Sequence, residues 1–267
     1  MNFDFLTRVE YSMCLIFLSL NNHPQYKLII AANRDEFYKR QTAPAHFWKD
    51  HAEIIGGRDL EASGTWMGMN KNGRIAMVTN YRDPVNINAK APSRGKLVSD
   101  FLLNDLSAKD YLEEISQKGE LYNGFNLIVG EVDDLWYYSN YKDGVERISR
   151  GVHGLSNHLL DTNWPKVFRG KEKFNEQLQA KKVESTNLFE FLYDEQQAPV
   201  DQLPNTGIGL EREKALSSMF IKTKGYGSRC STVVLIDKEN RVSYSERVYD
   251  IETFEYKTQS FEFAITE

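Results

Sequence analysis

The sequence predicts an α+β fold in which mainly antiparallel sheets are covered by helices. Strand-like segments follow one another across short turns, so hairpins outnumber the strand–helix–strand repeats that a parallel sheet needs. The 14 Tyr and 15 Phe residues favour strands with packed aromatic faces. A doubly wound parallel fold is therefore disfavoured.

The front third of the chain is predicted to form two hairpins. The turn residues at 21–25 separate the first pair of strands. In the second turn, Asn72-Gly73 supplies the positive φ that a tight reversal requires. The four predicted strands are residues 14–20, 27–32, 65–69 and 74–79.

Helices and further strands make up the remainder. Leu97, Val98, Phe101 and Leu102 recur at helical spacing in 95–103. A capping box of Ser107 and Asp110 opens the helix predicted at 107–117. Strands are expected at 124–130, 135–140 and 145–148, helices at 164–180, 187–193 and 211–221, and strands at 231–237, 241–248 and 253–263. The helices should cover the faces of the sheets.

Composition limits the possible partners and compartments. The net charge of −5, from 33 basic and 38 acidic side chains, disfavours nucleic acid as a partner. The sequence contains no run of 18 apolar residues, so no transmembrane segment is expected. Residues 1–12 lack the apolar core of a secretory signal. The only cysteines, Cys14 and Cys230, form neither a disulfide framework nor a zinc motif, which favours the cytoplasm.

No cofactor or metal is expected from the motifs. The five histidines are scattered, and the glycines do not follow the spacing of a phosphate-binding loop. His153 and His158 flank a candidate site loop, where either haem ligation or an ordinary loop role is open, the loop role being the better interpretation. The oligomeric state is left open.

Several ordered motifs carry a resemblance to a known family. Asn33-Arg34-Asp35-Glu36 is the tetrapeptide that gives the NRDE family its name. The other blocks that resemble this family are Gly57-Arg58-Asp59, Gly64-Thr65-Trp66-Met67-Gly68, Thr79-Asn80-Tyr81-Arg82 and Gly154-Leu155-Ser156-Asn157. The eukaryotic branch of the family is called transport and Golgi organisation protein 2. The wider group is similar to N-terminal-nucleophile hydrolases, including the conjugated bile acid and penicillin V amidases.

This resemblance implies a four-layer αββα sandwich formed by one domain over residues 14–267. It also implies that Cys14 is the nucleophile, activated by its own α-amine as the general base. Residues 1–13 precede it as an N-terminal extension, and a peptide bond there would leave no free amine. An upstream start assigned in error, a cleaved propeptide and a retained blocking segment are the three alternatives.

The resemblance assigns charged residues around the thiol. Arg34 takes the place of an Arg beside the sulfur, just past the second predicted strand. Asp35 is expected to accept a hydrogen bond from the α-ammonium, although Glu36 could face the site instead. The related amidases carry their acid three positions after the Arg, where this chain has Phe37.

Three more site residues follow from the resemblance. Asn80 matches an oxyanion donor, Asn157 matches an Asn that orients the amine, and Arg229 matches the last Arg of the set. If Arg229 faces the site from a strand, alternation directs Cys230 towards the covering helices as a small core residue.

Two functions are compatible with this sequence. The first is hydrolysis of a non-peptide carbon–nitrogen amide bond through an acyl-Cys14 intermediate, with a small molecule as substrate. The alternative is a ligand handler that takes part in haem trafficking or lipid homeostasis without cleaving its ligand. A site that keeps the nucleophile and the other matched residues favours the enzyme.

Overall fold

Strand pairing arranges the chain into two antiparallel seven-stranded sheets. A computed structural model describes residues 13–180 and 182–266, so residues 1–12 of the predicted N-terminal extension lie outside the described residues. The strands of the first sheet lie in the order Gly151–Leu155, Met13–Leu20, Tyr26–Phe37, Tyr226–Asp237, Arg241–Tyr249 and Tyr256–Ala264, with Lys222–Thr223 paired to Tyr226–Asp237. The second sheet takes its strands in chain order, from Thr42–Phe47 to Glu146–Arg147.

The first sheet consists of β1 (Met13–Leu20), β2 (Tyr26–Phe37), β10 (Gly151–Leu155), β11 (Lys222–Thr223), β12 (Tyr226–Asp237), β13 (Arg241–Tyr249) and β14 (Tyr256–Ala264). The second consists of β3 (Thr42–Phe47), β4 (Ile54–Asp59), β5 (Met67–Asn70), β6 (Arg74–Asn80), β7 (Phe125–Glu131), β8 (Asp134–Ser139) and β9 (Glu146–Arg147). The helices are α1 (Gly95–Leu103), α2 (Ala108–Ser116), α3 (Pro165–Leu178), α4 (Ser185–Leu192) and α5 (Leu210–Ala215), with 3-10 turns at Gly119–Leu121 and Val200–Gln202.

Alternation along the strands separates three apolar layers. On β1, Ile16 and Leu18 point between the sheets, whereas Leu15 and Phe17 point towards α3 and α4. On the far side of the second sheet, a further cluster packs α1 and α2 against β6, β7 and β8. The order helix, sheet, sheet, helix confirms the predicted αββα sandwich.

The predicted hairpins are confirmed, with a longer second strand. β1 pairs with β2, and β5 pairs with β6 across a turn where Gly73 has a φ of 86°. β2 extends to Phe37 because β1 and β12 pair with it on its two sides. Asn33 to Glu36 therefore lie within this strand, and the expectation that Arg34 follows the strand is wrong.

Other boundaries also differ from those predicted. β3, β4, β10 and the short β11 are additional strands, and β12 begins five residues before the predicted start at 231. The helix predicted at 211–221 ends at Ala215 in α5. Residues 219–221 are fully buried there without helical structure. The Phe220 N–H donates to the Asp194 carbonyl, and the Ile221 carbonyl accepts the Ser228 N–H of β12, each at 2.8 Å.

Candidate active site

A cavity of about 60 Å³ opens beside Cys14, where β1 begins. Its lining comes from both sheets, from the loops beside them and from the start of α1. The lining residues are Cys14, Arg34, Glu36, Arg40, Asp59, Thr65, Trp66, Val78, Asn80, Ser93, Arg94 and Gly95. Three of the predicted site residues, Cys14, Arg34 and Asn80, therefore meet in one cavity.

The tetrapeptide on β2 divides between the two faces of its sheet. The Asn33 side-chain amide donates to the carbonyls of Leu192 and Met219, each at 2.9 Å, so this side chain faces the helical layer. Asp35, two residues further on the same face, accepts a hydrogen bond from the Ser228 hydroxyl. These two polar side chains anchor β2 to its surroundings.

The other two members face the cavity. Arg34 Nη2 lies 3.3 Å from Glu36 Oε2, and both side chains are buried. The Arg34 guanidinium also lies over the Trp66 ring, 4.2 Å from its centroid. Glu36, the alternative to Asp35, is thus the acidic member of the tetrapeptide that lines the cavity, whereas Asp35 faces away from it.

The Cys14 thiol is neutral in this environment. Burial raises its pKa to about 12, and the negative charge of Asp35 adds to the increase. Arg34 and the backbone N–H of Asp35 oppose this effect without overcoming it. A base must therefore take the thiol proton during the attack on a substrate.

A buried lysine, Lys166, lies near Asp35 on the helical side of the first sheet. Lys166, in the first turn of α3, is 2% exposed, and its Nζ has no hydrogen-bond partner within the described part of the chain. Burial lowers its pKa to about 8, although the negative charge of Asp35 favours the protonated form. Burial likewise raises the pKa of Asp35 to about 6, opposed by Lys166 and Ser228. Sequence reasoning missed this lysine because it stands within an ordinary amphipathic helix.

A second ion pair lines the cavity beyond Glu36. Arg40 Nη2 lies 2.7 Å from Asp59 Oδ2, and Arg40 Nε lies 3.7 Å from Glu36 Oε2. Asp59 ends β4 within one of the family blocks, which was the available sequence signal for it. The cavity therefore carries the guanidinium groups of Arg34, Arg40 and Arg94 beside two carboxylates.

The two predicted asparagines lie next to each other. Asn157 is fully buried, and its side-chain amide donates to the Asn80 carbonyl at 3.0 Å. The Asn157 carbonyl accepts the backbone N–H of Arg82 at 2.8 Å. Asn80 lines the cavity, whereas Asn157 stands outside its lining and supports the end of β6 through this hydrogen bond.

Arg229 stands outside the lining of the cavity. Its Nη1 donates to the carbonyls of Phe37, Tyr38 and Arg40, each at 3.1 Å, and so fixes the backbone that carries Arg40. The pairing of β12 with β2 shifts register at this position, between Ser228 and Cys230. Arg229 is the extra residue of this bulge.

The bulge reverses the expected direction of Cys230. This residue pairs with Arg34 and shares its face with Val234 and Ile236, which pack between the sheets. Its thiol contacts Glu246, a buried carboxylate that accepts the Ala45 backbone N–H at 2.6 Å. Cys230 is buried, but the prediction that it faces the helices is wrong, because strict alternation fails at a bulge.

The histidines near the site are already hydrogen-bonded. Both ring nitrogens of His153 have partners, while His158 contacts Thr162 through Nδ1 at 2.9 Å and packs against Tyr81 and Trp164.

Within residues 13–180 and 182–266, no three His, Cys, Asp or Glu side chains cluster as a metal site. In the same ranges, none of the helices is long and apolar enough to cross a membrane.

Comparisons with known proteins place this geometry in a family. The model of the Transport and Golgi organisation 2 family matches residues 13–251. The human Transport and Golgi organization protein 2 homolog is 36% identical over 95% of this chain and 99% of its own length.

Two solved structures are similar in outline. The Caenorhabditis elegans N-acylethanolamine-hydrolyzing acid amidase ortholog has 12% identity and a TM-score of 0.49, covering 83% of this chain and 92% of its own. A mutant of the conjugated bile acid hydrolase from Clostridium perfringens has 10% identity and a TM-score of 0.46, covering 96% of this chain and 98% of its own. The family match and the human relative confirm the resemblance carried by the sequence blocks, and the chain belongs to the Transport and Golgi organisation 2 family.

Proposed function

We propose that this chain is a cysteine amidohydrolase that cleaves a non-peptide carbon–nitrogen amide bond through an acyl-Cys14 intermediate. One observation carries the proposal: Cys14 shares a cavity with the Arg34 guanidinium and with Asn80. Acyl transfer needs a nucleophile, a positive charge near the sulfur and a donor for the oxyanion. These residues supply all three in one place.

The proposed reaction has two steps. The Cys14 sulfur attacks the amide carbonyl carbon, the carbon–nitrogen bond breaks, and the amine leaves with the proton that the base took from the thiol. Water then attacks the thioester, releasing a carboxylic acid and restoring the thiol. The attack needs a base, because the resting thiol, with a pKa of about 12, is protonated at neutral pH. The α-amine of Cys14 serves as this base once it is free.

The surrounding residues take separate roles in this mechanism. Asn80 donates its side-chain amide to the oxyanion, and Asn157 supports it from behind. Arg34 favours the thiolate form of Cys14 and is held in place by Glu36 and Trp66. Arg229 fixes the backbone beside the cavity. Asp35 lies on the opposite face of the sheet, and its negative charge raises the pKa of the Cys14 thiol.

Trapping the acyl-enzyme tests the proposal directly. Chains with a free Cys14 amine are mixed with a panel of fluorogenic N-acyl amides, quenched in acid and digested for mass spectrometry. An acyl adduct on the Cys14 peptide, absent in Cys14→Ala and retained in the matched variant Cys230→Ala, is the expected result. Turnover that survives in Cys14→Ala would refute the mechanism.

Ligand handling without cleavage is the second candidate. The neutral, buried thiol favours it, because an unactivated Cys14 would bind a ligand without attacking it. A saturable ligand titration that is unchanged in Cys14→Ala, together with no acyl adduct, would support this candidate. Haem and acyl lipids are the first ligands to titrate, in keeping with a role in haem trafficking or lipid homeostasis. Both candidates fit a cytoplasmic protein with free thiols.

A further inference from the structure

The loop that follows β10 is folded back onto that strand by Asp161. Its backbone N–H donates to the Gly154 carbonyl, and its Oδ1 accepts the Gly154 N–H, each at 2.9 Å. Lys171 Nζ on α3 donates to the same Oδ1 at 2.7 Å, and His153 Nδ1 lies 2.7 Å from Oδ2. This loop carries Asn157, so one carboxylate ties together the two ends of the segment that presents it.

The backbone of Asp161 is held in an unusual conformation. Its φ is 59°, in the left-handed region that non-glycine residues seldom adopt. Such a conformation persists only where the surroundings determine it strongly, and the side-chain bonds of Asp161 provide that constraint. The position therefore requires both a tolerant backbone and a negative charge.

Both nitrogens of the His153 ring contact acceptors. Nδ1 faces the Asp161 carboxylate, and Nε2 lies 2.8 Å from the Ser149 carbonyl oxygen. A neutral imidazole has one N–H, so it can satisfy one of these acceptors and must turn a lone pair towards the other. Only the imidazolium form donates to both. Proton loss would therefore break one end of this arrangement.

Other charged groups surround this ring. Lys171 approaches from α3, and further titratable groups line an adjoining cavity of about 230 Å³, to which His153 and Asp161 also contribute. These groups are Tyr137, Lys142, Glu146 and Arg147. Burial and the charge of Lys171 lower the pKa of His153, but the hydrogen bonds to Asp161 and Ser149 outweigh them and raise it. The ring is therefore protonated over a wider pH range than an ordinary histidine.

We propose that Asp161 is a positioning residue that holds Asn157 against the Asn80 carbonyl, and that it does so fully only while His153 is protonated. Asn157 lies four residues before Asp161 and donates to Asn80 at 3.0 Å. Loosening the loop would release this contact behind the cavity that Cys14 lines. The effect on turnover rests on the proposed amidohydrolase function, whereas the effect on the loop does not.

The sign of the pH dependence follows from the raised pKa of His153. The stabilising contribution of its protonated form is fully present below the ordinary value of 6.5 and is lost as pH rises through the raised value. The loop should therefore be well protected near pH 6 and less protected near pH 8.5.

Hydrogen exchange of the full chain tests this proposal. Protection of the peptides that cover residues 150–164 is measured by mass spectrometry at about pH 6 and pH 8.5, after correction for intrinsic exchange. We expect protection to fall about tenfold across this range, since one charge-assisted hydrogen bond is lost. In His153→Gln the fall should disappear. His51→Gln is the matched control, because His51 faces Glu53 at 3.7 Å in a partly exposed position.

Asp161→Asn gives the second, milder variant. Asn tolerates the left-handed backbone and keeps the shape of the side chain, so the fold is retained while the charge is lost. We expect the loop in this variant to show low protection at both pH values. Equal pH dependence in wild type and His153→Gln, or full protection in Asp161→Asn, would overturn the proposal.

The activity arm separates this proposal from the proposed function. If the chain hydrolyses amides, Asp161→Asn should lower kcat more than it changes KM, and His153→Gln should remove the decline of kcat at alkaline pH. If no variant shows turnover but the exchange results hold, the amidohydrolase function fails and the positioning of Asn157 stands. If turnover is normal while exchange is independent of pH, the amidohydrolase function stands and the pH-dependent positioning of Asn157 fails.

Discussion

The guanidinium of Arg34 lies over the indole ring of Trp66, with its carbon atom 4.2 Å from the ring centroid. Gly57 on β4 makes room for this arrangement, because a Cβ at that position would lie 2.1 Å from Cη2 of Trp66. The tetrapeptide and the Gly57 block, far apart in sequence, are thus linked through one aromatic ring. The position of the cationic group beside Cys14 depends on a glycine in the opposite sheet.

Gly57→Ala should therefore displace Trp66 and disturb Arg34. We expect the free energy of unfolding to fall by about 1–3 kcal/mol, the usual cost of overpacking, in urea titration. Alkylation of Cys14 by iodoacetamide should slow in the same variant. Gly144→Ala is the control, because nothing lies within 4 Å of its Cβ position and only its φ of 82° opposes the change. Equal alkylation rates in both variants would contradict this link.

Arg34→Met should make the Cys14 thiol harder to ionise. Burial and Asp35 already raise its pKa, and Arg34 opposes them. Loss of the guanidinium should slow alkylation of Cys14 at pH 8 by about tenfold or more, since a nearby opposite charge shifts a pKa by about 1–3 units. Peptide mass spectrometry separates Cys14 from Cys230. Arg58→Met is the matched control, as Arg58 makes the same kind of contact with Trp48, at 4.1 Å.

Asn80→Ala should reduce catalysis without a matching loss of binding. Loss of one oxyanion donor lowers turnover by about 100 to 1,000-fold. We expect kcat to fall by this factor and KM to change little in steady-state assays with an amide substrate. Asn88→Ala, in an exposed loop, should leave kcat unchanged. A mainly KM effect in Asn80→Ala would assign this residue to substrate binding instead.

Asp35 should make the fold less stable as pH rises in the acid range. Its folded-state pKa is raised by burial to about 6 from 3.8, so the folded state binds the proton more tightly. The stability gained from this proton is present below 3.8 and is lost as pH rises through about 6. In Asp35→Asn, thermal unfolding between pH 4 and 6.5 should lose this downward trend. The same trend in the unmodified chain and in Asp35→Asn would show that other groups cause it. Asp143→Asn, at an exposed position, serves as the control and should keep the trend.

Much of the architecture could be predicted because hydrophobic alternation and turn chemistry are local signals. The helix at 95–103 matches α1 at both ends, and the Asn72-Gly73 turn lies between β5 and β6 as expected. By contrast, β3 and β4 contain Pro44, Gly56 and Gly57, which weaken the strand signal. They pair with each other and with β5, their neighbours along the chain, so the signal failed in their composition and not because a pairing partner is far away.

The site shows the same division. The sequence blocks led to Cys14, Arg34 and Asn80, which the fold brings to one cavity. They could not reveal that β2 continues through the tetrapeptide, so the choice between Asp35 and Glu36 stayed open until strand pairing decided which face each occupies. Likewise, the bulge at Arg229 arises from pairing with β2 and reverses the expected face of Cys230.

The final prediction concerns the α-amine of Cys14. In the full chain this nitrogen is tied to Met13 in a peptide bond, so it cannot act as a base. A chain that starts at Cys14, obtained by excision of an initiating Met13, would carry an amine with an ordinary pKa of about 7.7–8.0, which is partly unprotonated at neutral pH. We expect this chain, verified by intact mass, to form the acyl adduct while the full chain does not.

The same shortened chain carrying Cys14→Ser is the control for the nucleophile, since a hydroxyl is far weaker than a thiol when the same amine is present. Adducts of equal yield from the full chain and from the shortened one would mean that another group serves as the base. Lys166 would then be the first residue to substitute, because its buried amine has a pKa lowered to about 8 and lies near both Asp35 and Cys14.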